Sequence, residues 1–178
     1  YDGFITISEH ARRDIQRLLP VGNRPVHLLP PYTIDVLKGP RHPAVLMRDL
    51  ILPKKYLLYV ADVNWNKNLP NIARAIKQAD APCVFAGKVF EEQKQAEARA
   101  ATNPWLAPYK EFLGEVGDDP RFIFPGYITD EELASLYQHA YANILVSHDE
   151  GFGMSYIEAG SNHCPSILSD TPIFHEIA

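Results

Sequence analysis

From Tyr56 onward, short apolar segments alternate with longer segments in which apolar residues recur every three or four positions. The apolar segments predict the strands Tyr56–Ala61, Cys83–Gly87, Arg121–Phe124, Ala142–Val146 and Ser166–Ser169. Strands this apolar are buried on both faces, which is typical of parallel sheets connected by crossover helices. The sequence therefore predicts an α/β fold in which a parallel sheet carries helices on both faces.

The segments between these strands carry helix signals. An Asn68 cap, with Pro70 tolerated in the first turn, introduces the apolar stripe Leu69, Ile72, Ala73 and Ile76. The run that begins at Thr129 is a capping box, and behind it comes the stripe Leu133, Leu136, Tyr137 and Ala140. A third predicted stripe is made of Trp105, Tyr109, Phe112, Leu113 and Val116. The polar, alanine-rich stretch Glu91–Thr102 predicts an exposed helix.

The first 55 residues have a different pattern. Two short strands, Phe4–Ile7 and Val26–Leu29, flank a helix that Ser8 caps. The apolar residues of that helix are Ala11, Ile15, Leu18 and Leu19. Prolines then interrupt the chain at positions 30, 31, 40, 43 and 53. We therefore predict that residues 1–55 are the tail of a preceding domain with its linker, and that residues 56–178 are a second domain, truncated at its C-terminus.

Composition excludes several classes of protein. The net charge of −5 argues against a nucleic-acid surface, which needs a broad stripe of lysine and arginine. No apolar run approaches the ~18 residues that span a bilayer. Cys83 and Cys164 lie in apolar, strand-like segments, which predicts reduced core residues and a cytoplasmic protein. The chain lacks an initiator Met and a targeting segment, so we expect a piece of a longer protein.

The sharpest motif runs from Glu150 to Glu158, directly after the predicted strand Ala142–Val146 and into a helix. Gly151 and Gly153 allow a tight turn, and the first free N–H groups of the helix then point at whatever lies above the strand. Such a helix start favours an anion, and a diphosphate there needs no metal. Both carboxylates are expected to face one crevice, where sugar hydroxyls would be good hydrogen-bond partners.

This motif is similar to the two-glutamate motif of family 4 retaining glycosyltransferases, which have the double-Rossmann GT-B fold. The resemblance implies that Glu150 is the catalytic residue contacting the transferred sugar, and that Glu158 binds the ribose hydroxyls. It assigns the donor diphosphate and sugar to Gly151, Phe152, Gly153, Met154 and Ser155. It also implies a Rossmann-like C-terminal half of a GT-B enzyme.

Further matches extend along most of the chain. The segment Phe4–Glu9 resembles the entry near the family's domain junction, and Tyr59–Ala61 with Lys67 resembles its first glycine loop and phosphate lysine. The loop from Phe124 resembles its base-contacting loop, which implies a nucleobase role for Gly126, Tyr127 and Ile128. Two departures stand out. Ala61 and Asp62 replace the usual Gly-Arg, and His163 replaces a common Gly before the last strand.

The resemblance predicts the nucleotide-sugar-binding domain of a retaining glycosyltransferase, transferring a hexosyl group such as mannosyl. The donor would be UDP- or GDP-linked, and a missing N-terminal domain would bind the glycan or lipid-linked acceptor, so the fragment alone is expected to be inactive. We expect no cofactor and no metal, because helix amides and Lys67 supply the countercharge beside Asp149 and Glu150. The full-length enzyme is expected to associate peripherally with the inner membrane face.

Two other functions are open at this point. One is a non-catalytic nucleotide-binding or regulatory module of doubly wound topology, which Asp62 weakly favours. Such a receiver-like module would have an aspartate ending its third strand, whereas Pro125 and Gly126 follow that strand here. The other is a sugar-nucleotide epimerase of the same fold, which would interconvert donors without an acceptor.

Overall fold

The computed structural model describes residues 1–32, 52–87, 90 and 103–178. The predicted helix Glu91–Thr102 and the prolines at positions 40 and 43 lie outside the described residues. Among the residues that are described, no helix has the length and apolar character needed to cross a membrane.

Residues 1–32 form a small unit of two strands and one helix. Strand β1 (Phe4–Thr6) pairs in parallel with β2 (Val26–Leu28), and helix α1 (Glu9–Leu18) connects them. Ser8 caps α1 as predicted, because its Oγ accepts a hydrogen bond from the backbone N–H of Ala11 at 2.9 Å. The predicted boundary between residues 55 and 56 stays a prediction.

The second part of the chain is a five-stranded parallel sheet, with strands slightly shorter than the predicted ones. The strands are β3 (Leu57–Val60), β4 (Cys83–Ala86), β5 (Phe122–Ile123), β6 (Ala142–Leu145) and β7 (Ser166–Leu168). Their spatial order is β5-β4-β3-β6-β7, and every pair is parallel. The doubly wound topology predicted from the apolar segments is confirmed.

Helices cover both faces of this sheet. They are α2 (Leu69–Ala79), α3 (Ala107–Val116), α4 (Asp130–His139), α5 (Met154–Ser161) and the short C-terminal α6 (Pro172–Ile177). Strand β4 shows the division, because Phe85 packs with α2 and α3 while Val84 packs with α4 and α5. Burying each such side chain contributes about 1.5–3 kcal/mol to stability. Side chains alternate between the two faces along β4, so this strand stabilises the helix layers on both faces of the sheet.

Three local predictions have instructive outcomes. The capping box is confirmed, because Thr129 and Glu132 exchange hydrogen bonds with each other's backbone N–H. Trp105 does not belong to the buried stripe. It lies in a 3-10 turn (Pro104–Leu106) before α3 and is 68% exposed, since the turn breaks the helical spacing. His163 adopts a φ of +59°, so it takes the left-handed conformation for which glycine is the usual choice.

Asn68 occupies the predicted N-cap position of α2 but does not cap the helix with its side chain. Its φ is +57°, a left-handed conformation that asparagine tolerates better than most residues. In that conformation its Nδ2 donates instead to the carbonyl oxygen of Val146, at 3.1 Å. The side chain therefore links the loop after β3 to the end of β6.

The order of the strands determines where a ligand can bind. The chain moves outward from β3 to β4 and β5, then returns to place β6 on the other side of β3. The loops after β3 and β6 therefore diverge and leave a crevice at the carboxyl edge of the sheet. Doubly wound sheets bind ligands at such a switch point.

Candidate functional site

A cavity of about 400 Å³ lies at this switch point, within the usual range for small-molecule sites. Its walls come from the loop after β3, the loop after β6 and the start of α5. The lining residues are Ile7, Val60, Ala61, Asp62, Asn64, Asn66, Lys67, Leu145, Glu150, Gly151, Phe152, Gly153, Met154 and Ser155. The structure thus brings Lys67 together with the whole predicted segment from Glu150 to Ser155.

The N-terminus of α5 opens into the cavity. Gly153 is its N-cap and has a φ of +91°, and a Cβ atom there would lie 3.0 Å from the Phe174 ring. Gly151 has no positive φ, so of the two predicted turn glycines only Gly153 is required by backbone conformation. Ser155 is buried, and its Oγ has no hydrogen-bond partner among the described residues. A buried hydroxyl without a partner, beside free helix amides, is suited to an anionic ligand.

Glu150 and Lys67 face each other inside the cavity. The Nζ of Lys67 lies 2.6 Å from Oε1 of Glu150, and the two side chains are only 14% and 10% exposed. The Oγ of Ser147 also donates to Oε1 of Glu150, at 2.6 Å. Ser147 is itself held by Ser169, whose Oγ donates to the Ser147 carbonyl at 2.6 Å. The carboxylate of Glu150 is therefore fixed by two donors.

Asn66 ties the two loops of the crevice together. Its Nδ2 donates to the carbonyl oxygen of Asp149 at 2.9 Å, and its own carbonyl accepts from the N–H of His148 at 2.7 Å. With the bond from Asn68 to Val146, three hydrogen bonds join the loop after β3 to the residues before Glu150. This arrangement holds Lys67 and Glu150 in register across the switch point.

The N-terminal unit also contacts the site. The Oγ of Ser8 donates to the carbonyl oxygen of Gly151 at 2.7 Å, and the side chain of Ile7 lines the cavity. At the other end of the contact, the carboxylate of Glu176 accepts from the backbone N–H groups of Glu9 and His10. The start of α1 is therefore bound to both the cavity loop and α6.

Glu158 lies in the second turn of α5 and does not line the cavity. Its Oε2 accepts a hydrogen bond from the hydroxyl of Tyr137 on α4, at 2.9 Å. Burial raises the pKa of Glu158, the hydrogen bond from Tyr137 opposes this rise, and the charge of Asp130 adds to it. Glu158 therefore faces α4, the helix that follows the predicted base loop.

The predicted base loop lies at the far end of the same edge. Gly126 has a φ of +76°, Tyr127 is exposed, and Ile128 packs partly into the core beside α4. The loop follows β5, which is three strand positions from β6. At ~4.8 Å per strand, roughly 14 Å separate the two along the sheet. None of these three residues lines the cavity, and neither does Glu158.

The described residues contain one group of side chains with the composition of a metal site. His10, Asp14 and Asp149 place their ligand atoms within 4.8 Å of one another. The Nε2 of His10 lies 2.9 Å from Oδ1 of Asp149 and 3.8 Å from Oδ2 of Asp14. None of the three lines the cavity.

Residues 48–178 match the sequence pattern of the family described as Glycosyl transferases group 1. The match covers well over half of the chain and includes both loops of the cavity. The chain belongs to this family. The predicted family membership of this glycosyltransferase domain is thereby confirmed.

Curated relatives of the glycosyltransferase domain include several mannosyltransferases. It is 48% identical over 50 residues to the O-antigen chain mannosyltransferase RfbU of Salmonella typhimurium, covering 28% of this chain and 14% of the relative. It is 49% identical over 51 residues to the serotype-specific mannosyltransferase WbdA of Escherichia coli, covering 29% and 6%. The matched segments therefore span only a small part of these relatives.

Solved structures share the fold. The domain has a TM-score of 0.69 with sucrose-phosphate synthase from Thermosynechococcus elongatus, at 22% identity, covering 94% of this chain and 40% of that one. It has a TM-score of 0.60 with a UDP-forming α,α-trehalose-phosphate synthase from Burkholderia xenovorans, at 16% identity, covering 94% and 46%. These matches confirm the predicted Rossmann-like fold class.

Sequence reasoning missed several side chains that organise the site of this glycosyltransferase domain. Ser147 and Asn66 were not singled out, although each follows an apolar strand at the carboxyl edge of the sheet, where ligand-site residues concentrate. Ser8 was predicted as a helix cap in the segment that resembles the domain junction, but its contact with Gly151, which joins residues 143 positions apart, was not predicted. No local pattern reports a contact of that kind.

Proposed function

We propose that residues 56–178 bind the nucleotide-sugar donor of a retaining glycosyltransferase. The observation that carries this proposal is the convergence of Lys67, Glu150 and the N-terminus of α5 on one cavity at the switch point of the sheet. A lysine, a helix start and an unpartnered serine hydroxyl suit a diphosphate.

The diphosphate would lie against the first turn of α5. The backbone N–H groups of Met154 and Ser155 belong to that turn, and the partial positive charge of the helix end favours an anion there. The ammonium of Lys67 has three donors, so it can bind a phosphate oxygen while it stays close to Glu150. Asp62, which replaces the family's arginine, lines the same cavity and leaves Lys67 as its only lysine or arginine among the described lining residues.

The nucleoside would extend from the cavity toward the loop after β5. Glu158 lies on that side, and its carboxylate would accept hydrogen bonds from the ribose hydroxyls. These bonds would add to the one from the Tyr137 hydroxyl or replace it. Gly126, Tyr127 and Ile128 would then contact the base. The separation of roughly 14 Å along the sheet edge requires an extended donor.

The proposed chemistry is transfer of a hexosyl group with retained anomeric configuration. Positive charge from Lys67 and the α5 amides would stabilise the departing diphosphate, and Glu150 would contact the transferred sugar. The mannosyltransferase relatives favour a mannosyl donor and a glycan or lipid-linked acceptor. We infer that another part of the enzyme binds the acceptor, so this chain alone should show no transfer above background.

Calorimetric titration of the chain with UDP, GDP, UDP-glucose and GDP-mannose tests the proposal. We expect saturable binding of at least one nucleotide, with an affinity that excess EDTA leaves unchanged, because amides and Lys67 supply the countercharge. Absence of binding by all four ligands would contradict the donor site. Binding only in the presence of Mg²⁺ or Mn²⁺ would contradict its metal independence.

A further inference from the structure

Both tryptophans of the chain lie together on its surface. The rings of Trp65 and Trp105 have centroids 6.5 Å apart and planes inclined by 46°. Trp65 is 47% exposed and Trp105 is 68% exposed. Isolated apolar residues on a surface need no explanation, whereas two large aromatic side chains in mutual contact form a patch typical of a binding surface.

The patch lies on the same edge of the sheet as the cavity. Trp65 belongs to the 3-10 turn (Trp65–Lys67) that leads into α2, and Trp105 to the turn that leads into α3. Both helices run back from the carboxyl edge of the parallel sheet, so both turns sit at that edge. Trp65 also stands between Asn64 and Asn66, which line the cavity. The aromatic patch therefore adjoins the proposed donor site through Asn64 and Asn66.

We propose that Trp65 and Trp105 form a carbohydrate-binding surface beside the donor cavity, which holds sugar units of a glycan whose reacting end another part of the enzyme binds. A pyranose ring presents one face of C–H groups, which packs on an aromatic ring, and a rim of hydroxyls, which bind amides and indole N–H groups. Asn64, which precedes Trp65 and lines the cavity, supplies a side-chain amide there, whereas the Nδ2 of Asn66 already donates to Asp149. The identity of the ligand as a carbohydrate rests on the proposed function.

Two other occupants are less well supported by the structure. A membrane surface would be attracted by basic residues, but the chain carries a net charge of −5. A stable protein partner would cover about 800 Å² on each side, roughly twice the area that two tryptophan side chains can bury. A sugar chain, in contrast, can bind through one or two stacked rings.

Intrinsic fluorescence tests this surface selectively, because Trp65 and Trp105 are the only tryptophans in the sequence. The probes are an α-linked mannotetraose, maltotetraose for comparison, and vesicles of phosphatidylglycerol. We expect a saturable change in tryptophan fluorescence with mannotetraose, at an apparent Kd of about 1–10 mM. In Trp105→Ala, where Trp65 remains as the reporter, we expect roughly tenfold weaker binding.

The matched control is Tyr141→Ala. Tyr141 is 65% exposed but precedes β6, so it lies at the opposite edge of the sheet and its removal should not change mannotetraose binding. Nucleotide affinity, measured by calorimetry, should be the same in Trp105→Ala as in the parent. Mannotetraose binding by a parent that binds no nucleotide would support the glycan surface and contradict only the donor site.

Three results would overturn the glycan surface. The first is that neither tetrasaccharide changes the tryptophan fluorescence. The second is that Trp105→Ala keeps both the parent's mannotetraose affinity and its melting temperature. The third is that the fluorescence responds to vesicles and not to the sugars.

Discussion

Replacing Lys67 with methionine is expected to weaken the binding of UDP and GDP by roughly ten- to a hundredfold. Hydrogen bonds to charged groups contribute about 1.5–3 kcal/mol, and each 1.4 kcal/mol is a factor of ten in affinity. Lys67 is the lysine that the structure places in the cavity, where its Nζ lies 2.6 Å from Glu150. Calorimetric titration of Lys67→Met against the parent measures the effect.

The same substitution should also lower the free energy of unfolding. Without Lys67, the carboxylate of Glu150 keeps the bond from Ser147 but loses its ion pair in a site that is 10% exposed. The expected cost is about 1–3 kcal/mol, measured by urea unfolding. Lys77→Met is the matched control. Lys77 lies in α2, directly after the turn that contains Lys67, and it pairs with Glu115 but does not line the cavity. Parent-like nucleotide affinity in Lys67→Met would refute the phosphate role.

Replacing Glu158 with glutamine is expected to separate nucleotide binding from folding. The amide keeps the size of the side chain and can still accept from Tyr137, but it removes the charged acceptor proposed for the ribose. We expect the affinity for UDP and GDP to fall about tenfold or more, by the same free-energy scale. A 2′-deoxy nucleotide should lose part of its affinity on the parent and less on the variant, because a neutral acceptor has already replaced the charged one.

Although its nucleotide affinity should fall, the stability of Glu158→Gln should equal or exceed that of the parent. The pKa of Glu158 is raised, chiefly by burial, so the ionised carboxylate is less favourable in the fold than in the unfolded chain. This cost is absent at a pH below the carboxyl's unfolded pKa and is fully present above its folded pKa. The variant should therefore melt at the same or a higher temperature than the parent at pH 7, and the difference should vanish in acid. A variant that binds both nucleotides as tightly as the parent would show that Glu158 has no ribose role.

The layers of the fold could be predicted from the sequence because they depend on local patterns. Each predicted strand of the sheet is present, since apolar runs such as Ala142–Leu145 can be buried only between two layers of helices. The capping box that begins at Thr129 correctly predicted that α4 starts at Asp130. Trp105 was misassigned because its spacing from Tyr109 suits a helix, whereas Pro104 begins a separate 3-10 turn there.

The candidate site was predictable where the motif itself forms it and where the family resemblance pointed to Lys67. The segment from Glu150 to Ser155 is contiguous, so its place at the start of α5 follows from the strand before it. Of the two donors to Glu150, Ser147 is three residues away and Lys67 is 83 residues away, and no local pattern shows that both meet at one carboxylate. Asn68 illustrates a second limit. Its side chain could cap α2 or reach Val146, and only the backbone conformation decides between them.

The most direct test of the proposed donor site is to find out where nucleotide binds on the molecule. Heteronuclear NMR of the ¹⁵N-labelled chain during titration with UDP and GDP would report which backbone amides respond. The largest shifts are expected at the start of α5, at Gly153, Met154 and Ser155, with a second group at Gly126 and Tyr127. Saturable binding that leaves the amides of α5 unchanged would contradict the assignment of the diphosphate to this helix start.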